Sequence, residues 1–116
     1  MGITENLKRG TIELMILTLL KHADMYGYQL VQELSVRSDG DFVMPEGTLY
    51  PAMYRLMDNG YVSDRKELVG KRRTRVYYHI EQSGENYLNE LILEYLKVSN
   101  GIQKIFDSFE GETNEQ

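Results

Sequence analysis

Hydrophobic positions along the 116-residue chain fall into blocks with different periods. Ile12, Met15, Ile16, Leu19 and Leu20 recur at helical spacing, and Leu14 and Leu17 widen that face. This predicts a first helix over residues 10–22, begun at Gly10 or Thr11, closed by Lys21, His22, Ala23 and Asp24, and apolar enough to need more than one neighbour. Gly27, Leu30, Val31 and Leu34 follow the i, i+3, i+4, i+7 rule and predict a second helix from about Tyr26 to Arg37. After the turn-rich "SDGDFVMPEG", in which Phe42, Val43 and Met44 could pair briefly as a strand, Leu49, Met53, Leu56 and Met57 mark the buried stripe of a third helix. Proline is tolerated in a first helical turn, so Pro51 sets the start near Glu46 or Gly47, and Asn59-Gly60 supplies a left-handed stop.

The period then shortens. Residues 61–68 and 75–80, rich in aromatic and β-branched side chains, read as strands around a glycine-led basic turn, "VGKRRT". From about Gln82 to Phe109 the helical period returns. There Leu88, Leu91, Tyr95, Val98, Ile102, Ile105 and Phe109 alternate at spacings of three and four, the pattern of a helix–helix seam. Ile92, Leu96 and Phe106 widen it, with Glu90, Glu94, Lys97 and Lys104 opposite. A helix of that length spans about 40 Å, longer than a small body can cover, so its stripe calls for a second copy of the chain. Residues 110–116 are polar and read as a disordered tail.

The order of three short helices, a hairpin and a long helix is that of a winged helix-turn-helix with an extension. The fold class expected is mainly α with a small β-hairpin, divided into a DNA-binding domain (1–81), a dimerisation helix (82–109) and the tail (110–116). It also accounts for the polar and aromatic face of "GTLYPAMYRLMDN": the helix in the recognition position offers its N-terminal side chains to base edges.

Composition changes the picture in one place. Net charge is −5, yet residues 61–80 hold six basic and two acidic side chains. Screening acts within about 8 Å at physiological salt, so a local basic cluster can face a polyanion while the remainder stays acidic. The alternative is a charged hairpin edge that blocks strand pairing. The absence of cysteine, of a secretory signal and of a long apolar run points to a cytoplasmic protein with no membrane span. His22 and His79 are isolated, so no metal or cofactor is expected, and no nucleophile–base pair gives catalysis a foothold.

"LKRGTIELMILTLL", "YGYQL", "GTLYPAMYRLMDNGYV" and "GKRRTRVYYHI" together resemble the PadR family of bacterial transcriptional regulators, in its short subgroup with one C-terminal dimerisation helix. The resemblance implies a homodimeric repressor of double-stranded DNA, often released by a small hydrophobic or aromatic effector. It implies that Thr48, Tyr50 and Pro51 lie at DNA, that Gly70, Lys71, Arg72 and Arg73 form the wing, and that Tyr26, Gly27 and Tyr28 open the second helix, with Tyr26 among the DNA-binding residues. Tyr54 and Arg55 join the expected DNA face, although a tyrosine can equally bury its ring with the hydroxyl wet, and Arg55 can pair with Asp58. Glu81 stands where many relatives have a threonine able to cap the last helix. Tyr95, awkward in an apolar seam, marks a candidate effector site with Ile92, Leu96, Val98 and Ser99. The rival class is a protein-interaction module whose basic wing meets an acidic partner.

Overall fold

The computed structural model describes residues 7–111. A 3-10 turn at Arg9–Thr11 leads into α1 (Ile12–His22), followed by the two-residue strand β1 (Met25–Tyr26) and α2 (Gly27–Arg37). Next come α3 (Glu46–Asp58), β2 (Val62–Val69), β3 (Arg73–Ile80) and α4 (Gln82–Ser108). The strands form one antiparallel sheet in the order β1-β3-β2. No helix among the described residues is long and apolar enough to cross a membrane.

α1 is the hub. Ile16, Leu17 and Leu20 are fully buried, and the helix packs on α2, α3, β3 and the start of α4, as its all-round apolar pattern requires. Leu30, Leu49, Met53, Leu56 and Leu88 close the core from the other helices, and Val62, Tyr78 and Ile80 from the sheet.

α3 ends as its Asn-Gly pair predicts. Gly60 takes φ +76°, its N–H bonds to Met57 O at 3.0 Å, and Tyr61 N–H reaches Leu56 O at 2.9 Å, a Schellman stop. Its start differs in meaning from the expectation. The helix does begin at Glu46, but this makes Pro51 the sixth helical residue, past the first turn, so Gly47 C=O loses its intrahelical donor.

The expected strand at Phe42–Met44 does not form. Asp39 and Gly40, at φ 53° and 85°, turn the chain, Phe42 N–H donates to Ser38 Oγ at 2.8 Å, and Met44 drops into the core. The free edge of β3 is taken instead by β1, with Met25 opposite Tyr78 and Tyr26 opposite Tyr77. The hairpin also pairs further out than its apolar residues suggest, from Val62–Ile80 to Val69–Arg73, leaving only residues 70–72 as the turn.

α4 starts inside the body and leaves it. Gly84 lies against Tyr61 C=O, Leu88 is buried and Leu91 packs on the core. Beyond them the helix projects, giving a long dimension of 72 Å and a radius of gyration of 17.9 Å, against about 13 Å for a compact chain of this length. Of the expected tail, residues 110 and 111 are helical, and 112–116 lie outside the described residues.

Candidate nucleic-acid interface

The helix-turn-helix pair is α2 and α3. They meet where Gly27 leaves room for the Tyr50 ring: a Cβ at Gly27 would sit 2.6 Å from the Tyr50 hydroxyl. Tyr50 is therefore half buried between the helices, and Tyr54, its neighbour at 6.5 Å between ring centroids, is the exposed aromatic at 56%. The sequence pattern put Tyr50 outside the buried stripe. In the fold, its ring packs against the core. Thr48 is half exposed at the third helical position, Pro51 is exposed, and Thr48 makes no side-chain hydrogen bond to another described residue.

Arg55 does not take Asp58 as its partner; its Nε donates to Glu13 Oε1 at 3.4 Å on α1, while the side chain stays 57% exposed on the α3 surface. Glu13 also accepts from the Tyr87 hydroxyl at 3.1 Å, and Tyr87 stacks on Tyr61 with centroids 4.3 Å apart. Burial, then the Glu13 carboxylate, raises the Tyr87 pKa. Arg55 thus ties the recognition helix to α1 and to the base of α4, a role its sequence position did not signal.

The six cations of residues 65–75 separate into kinds. Lys71, Arg72 and Arg73 are exposed, the first two in the turn that opens with Gly70 at φ +76°, and Arg73 on the first residue of β3 rather than at the tip. Arg65 is committed: it donates to Asp24 and, at 2.9 Å, to Glu67, and lies over the Tyr77 ring. His79 Nδ1 meets the same Asp24 at 2.7 Å, so this carboxylate joins the α1–β1 connection to both hairpin strands. Burial pulls the Asp24 pKa up, but bonds from His79 and Arg65 outweigh it and leave the carboxyl below its ordinary value. Tyr26 faces outward on the sheet, edge-on to Tyr77 at 5.5 Å and covered by Arg75. These pairings needed the strand register to be seen. At the N-cap of α4, Glu81 makes no capping bond; its carboxylate accepts from Ser63 instead.

The seam residues of α4 divide. Leu88, at 1% exposure, is spent on the chain's own core and is corrected from the seam, while Leu91 is half buried there. Tyr95, Val98, Ile102, Ile105 and Phe109 are exposed, as are Ile92, Leu96 and Phe106, and also Leu93, which the seam pattern left out. An open groove of about 500 Å³ runs between this helix and the segment before α1, lined by Leu7, Leu14, Leu91, Tyr95, Val98 and Ser99 among others. Ile92 and Leu96, the other residues of the expected effector site, lie outside its lining and are exposed on the same helix.

A helix-turn-helix, a basic-tipped hairpin and a projecting apolar helix are joined here in one body. Residues 16–90 match the model of the Transcriptional regulator PadR-like family, which is well over half of the chain. The chain belongs to this family. A PadR-like regulator of this kind is DNA-binding through its winged helix-turn-helix, and is not an enzyme. It is 32% identical over 108 residues to an uncharacterised protein of Lysinibacillus sphaericus, across 93% of this chain and 99% of that one. Over 81 residues it is 26% identical to the transcriptional regulator YqjI of Escherichia coli K12, across 70% of this chain and 37% of YqjI. Among solved structures, a transcriptional regulator from Clostridium thermocellum is similar with a TM-score of 0.81 and 31% identity, covering 85% of this chain and 96% of that one. A PadR family regulator from Eggerthella lenta gives 0.78 and 29%, covering 87% and 86%. PadR family regulators typically dimerise.

Proposed function

We propose that this PadR-like regulator works in the cytoplasm as a homodimeric repressor, binding an inverted-repeat operator and leaving it when a small hydrophobic or aromatic effector binds. The observation that carries the reading is the row Tyr95, Val98, Ile102, Ile105 and Phe109, exposed on a helix that has left its own body. Contiguous apolar surface on this scale calls for a covering chain. Pairing two copies about a two-fold axis sets two recognition helices at a fixed separation, which an inverted repeat matches. At each half-site the start of α3, with Thr48 and Tyr54 outermost and the Tyr50 edge behind them, meets base edges in the major groove. Lys71, Arg72 and Arg73 meet the phosphates beside it, which fixes register without reading sequence. The groove beside Tyr95 is where an effector would act, because a partner helix laid over it encloses a largely apolar space with a few polar groups, the Tyr95 and Ser99 hydroxyls among them.

A mobility-shift titration on the regulator's own promoter region, run beside random duplex DNA, tests the reading. A palindromic fragment is expected to bind with half-sites about 34–36 Å apart. Thr48→Ala is expected to weaken operator binding by about 1–3 kcal/mol and random binding far less. Equal affinity of the wild-type chain for both DNAs rules out an operator.

A further inference from the structure

We infer that Arg75 is a phosphate contact at the root of the wing, and that Tyr26 acts as its positioning residue rather than touching DNA itself. The two lie on the outward face of the sheet, where the Arg75 guanidinium sits 4.3 Å above the Tyr26 ring. Planar stacking of this kind holds a guanidinium in one orientation while its N–H donors stay free at the rim.

What Arg75 lacks is a carboxylate. Its cross-strand neighbour is Glu67, but the Glu67 carboxylate accepts from Arg65 at 2.9 Å. Arg65 takes Asp24 as well, and His79 takes the other oxygen of Asp24. The acidic groups on this face are thus occupied by Arg65 and His79, and Arg75 makes no ion pair among the described residues. Two arginines on one face have opposite fates: Arg65 is paired with carboxylates of its own chain, and Arg75 rests on the Tyr26 ring with no carboxylate partner among the described residues. Such an oriented, uncompensated cation, on the strand that carries Arg73 and beside the residue that opens α2, suits a phosphate oxygen lying between the wing and the helix-turn-helix.

The inference rests on the DNA-binding reading above, and random duplex DNA tests it even without an operator, since a phosphate contact is independent of sequence. Arg75→Ala is expected to flatten the log–log salt dependence of binding by about 2 in a dimer, one phosphate per protomer. Arg75→Lys should keep that slope, yet bind more weakly, because an ammonium does not stack as a plane. Tyr26→Leu should weaken binding by about 10-fold over the two protomers and Tyr26→Phe should recover it. In an Arg75→Ala background, Tyr26→Leu should cost nothing further. Because Tyr26 also pairs in the sheet, urea unfolding of each variant separates a lost strand from a lost contact: Tyr26→Phe and Tyr26→Leu with equal unfolding midpoints and different DNA affinities support positioning. An unchanged slope in Arg75→Ala, or additive losses in the double variant, overturns the inference. Failure of the operator reading looks different, as equal affinity for promoter and random DNA with the slope change intact.

Discussion

Gly84 occupies a place where one methyl group does not fit. A Cβ there would lie 2.2 Å from Tyr61 C=O and 2.9 Å from Ile80, and the first of these is backbone that cannot rotate away. Gly84→Ala is expected to destabilise the fold by about 3 kcal/mol, read as a lower urea midpoint, because α4 must lift off the hairpin to accept it. Tyr78 gives a pH signature. Burial, with smaller contributions from Tyr50, Tyr54 and Asp64, pushes its phenol up to about 12 from 10.0. The folded state therefore favours the neutral phenol. Its contribution to stability is complete below pH 10, where the unfolded chain still holds the proton, and is lost as pH rises to about 12. The loss is about 2–3 kcal/mol, and Tyr78→Phe should remove that part of the slope in unfolding titrations. Individual side chains were the least legible part of the chain. Tyr50 and Arg55 both fall off the apolar stripe of α3, and periodicity sees only that. Tyr50 is drawn inward by the space at Gly27, and Arg55, still exposed, is paired with Glu13, 42 residues away, and neither is encoded near the residue concerned.

At the scale of elements, the helices were readable because each repeats its period for three turns or more, and α3 even announces its end in Asn59-Gly60. β1 was not, since two residues carry no pattern and pair only because β3 has an open edge. The hairpin was read short at its far end because Arg73 and Thr74 break the apolar alternation, although backbone pairing continues through them. Pro51 is the one element-level compromise. Placed sixth in α3, it leaves Gly47 C=O without its donor, so Pro51→Ala restores the bond and should raise stability by about 1–3 kcal/mol in thermal or urea unfolding. A decrease would mean that the proline ring contributes packing that outweighs the missing bond. For the wing, exposed Arg72 in the turn is assigned to phosphate, and Arg72→Ala should flatten the salt dependence by about 2 in the dimer while weakening every duplex alike. Loss confined to one sequence would make Arg72 a base reader, as an arginine in a narrow minor groove can be.

For the whole molecule, the seven-residue seam in α4 was visible in the sequence, but not where it changes hands. The same apolar alternation serves the chain's own core at Leu88, half serves it at Leu91, and turns outward from Tyr95. Nothing in a 3-4 spacing distinguishes a neighbour in the same chain from one in another. The outward part is also broader than a two-stranded seam, since Ile92, Leu93, Leu96 and Phe106 are exposed beside it. A covering surface must reach around the helix, so we expect the second copy to offer its body as well as its α4, including the groove walled by Leu7 and Leu14. Ile102 belongs to both, exposed midway along the outward row of the seam and part of the groove lining. Ile102→Glu would bury two like charges across the two-fold axis, at a cost of several kcal/mol in a desolvated interface. The variant is expected to sediment as a folded monomer with an unchanged circular dichroism signal for the body, whose core does not include Ile102. Operator affinity should collapse toward that of a single half-site. Phosphate contacts per bound unit should halve, so the salt slope falls to about half the wild-type value. A wild-type chain that sediments as a monomer at micromolar concentration, or an Ile102→Glu dimer that still grips the operator, would show that the exposed row of α4 is not what joins the two copies.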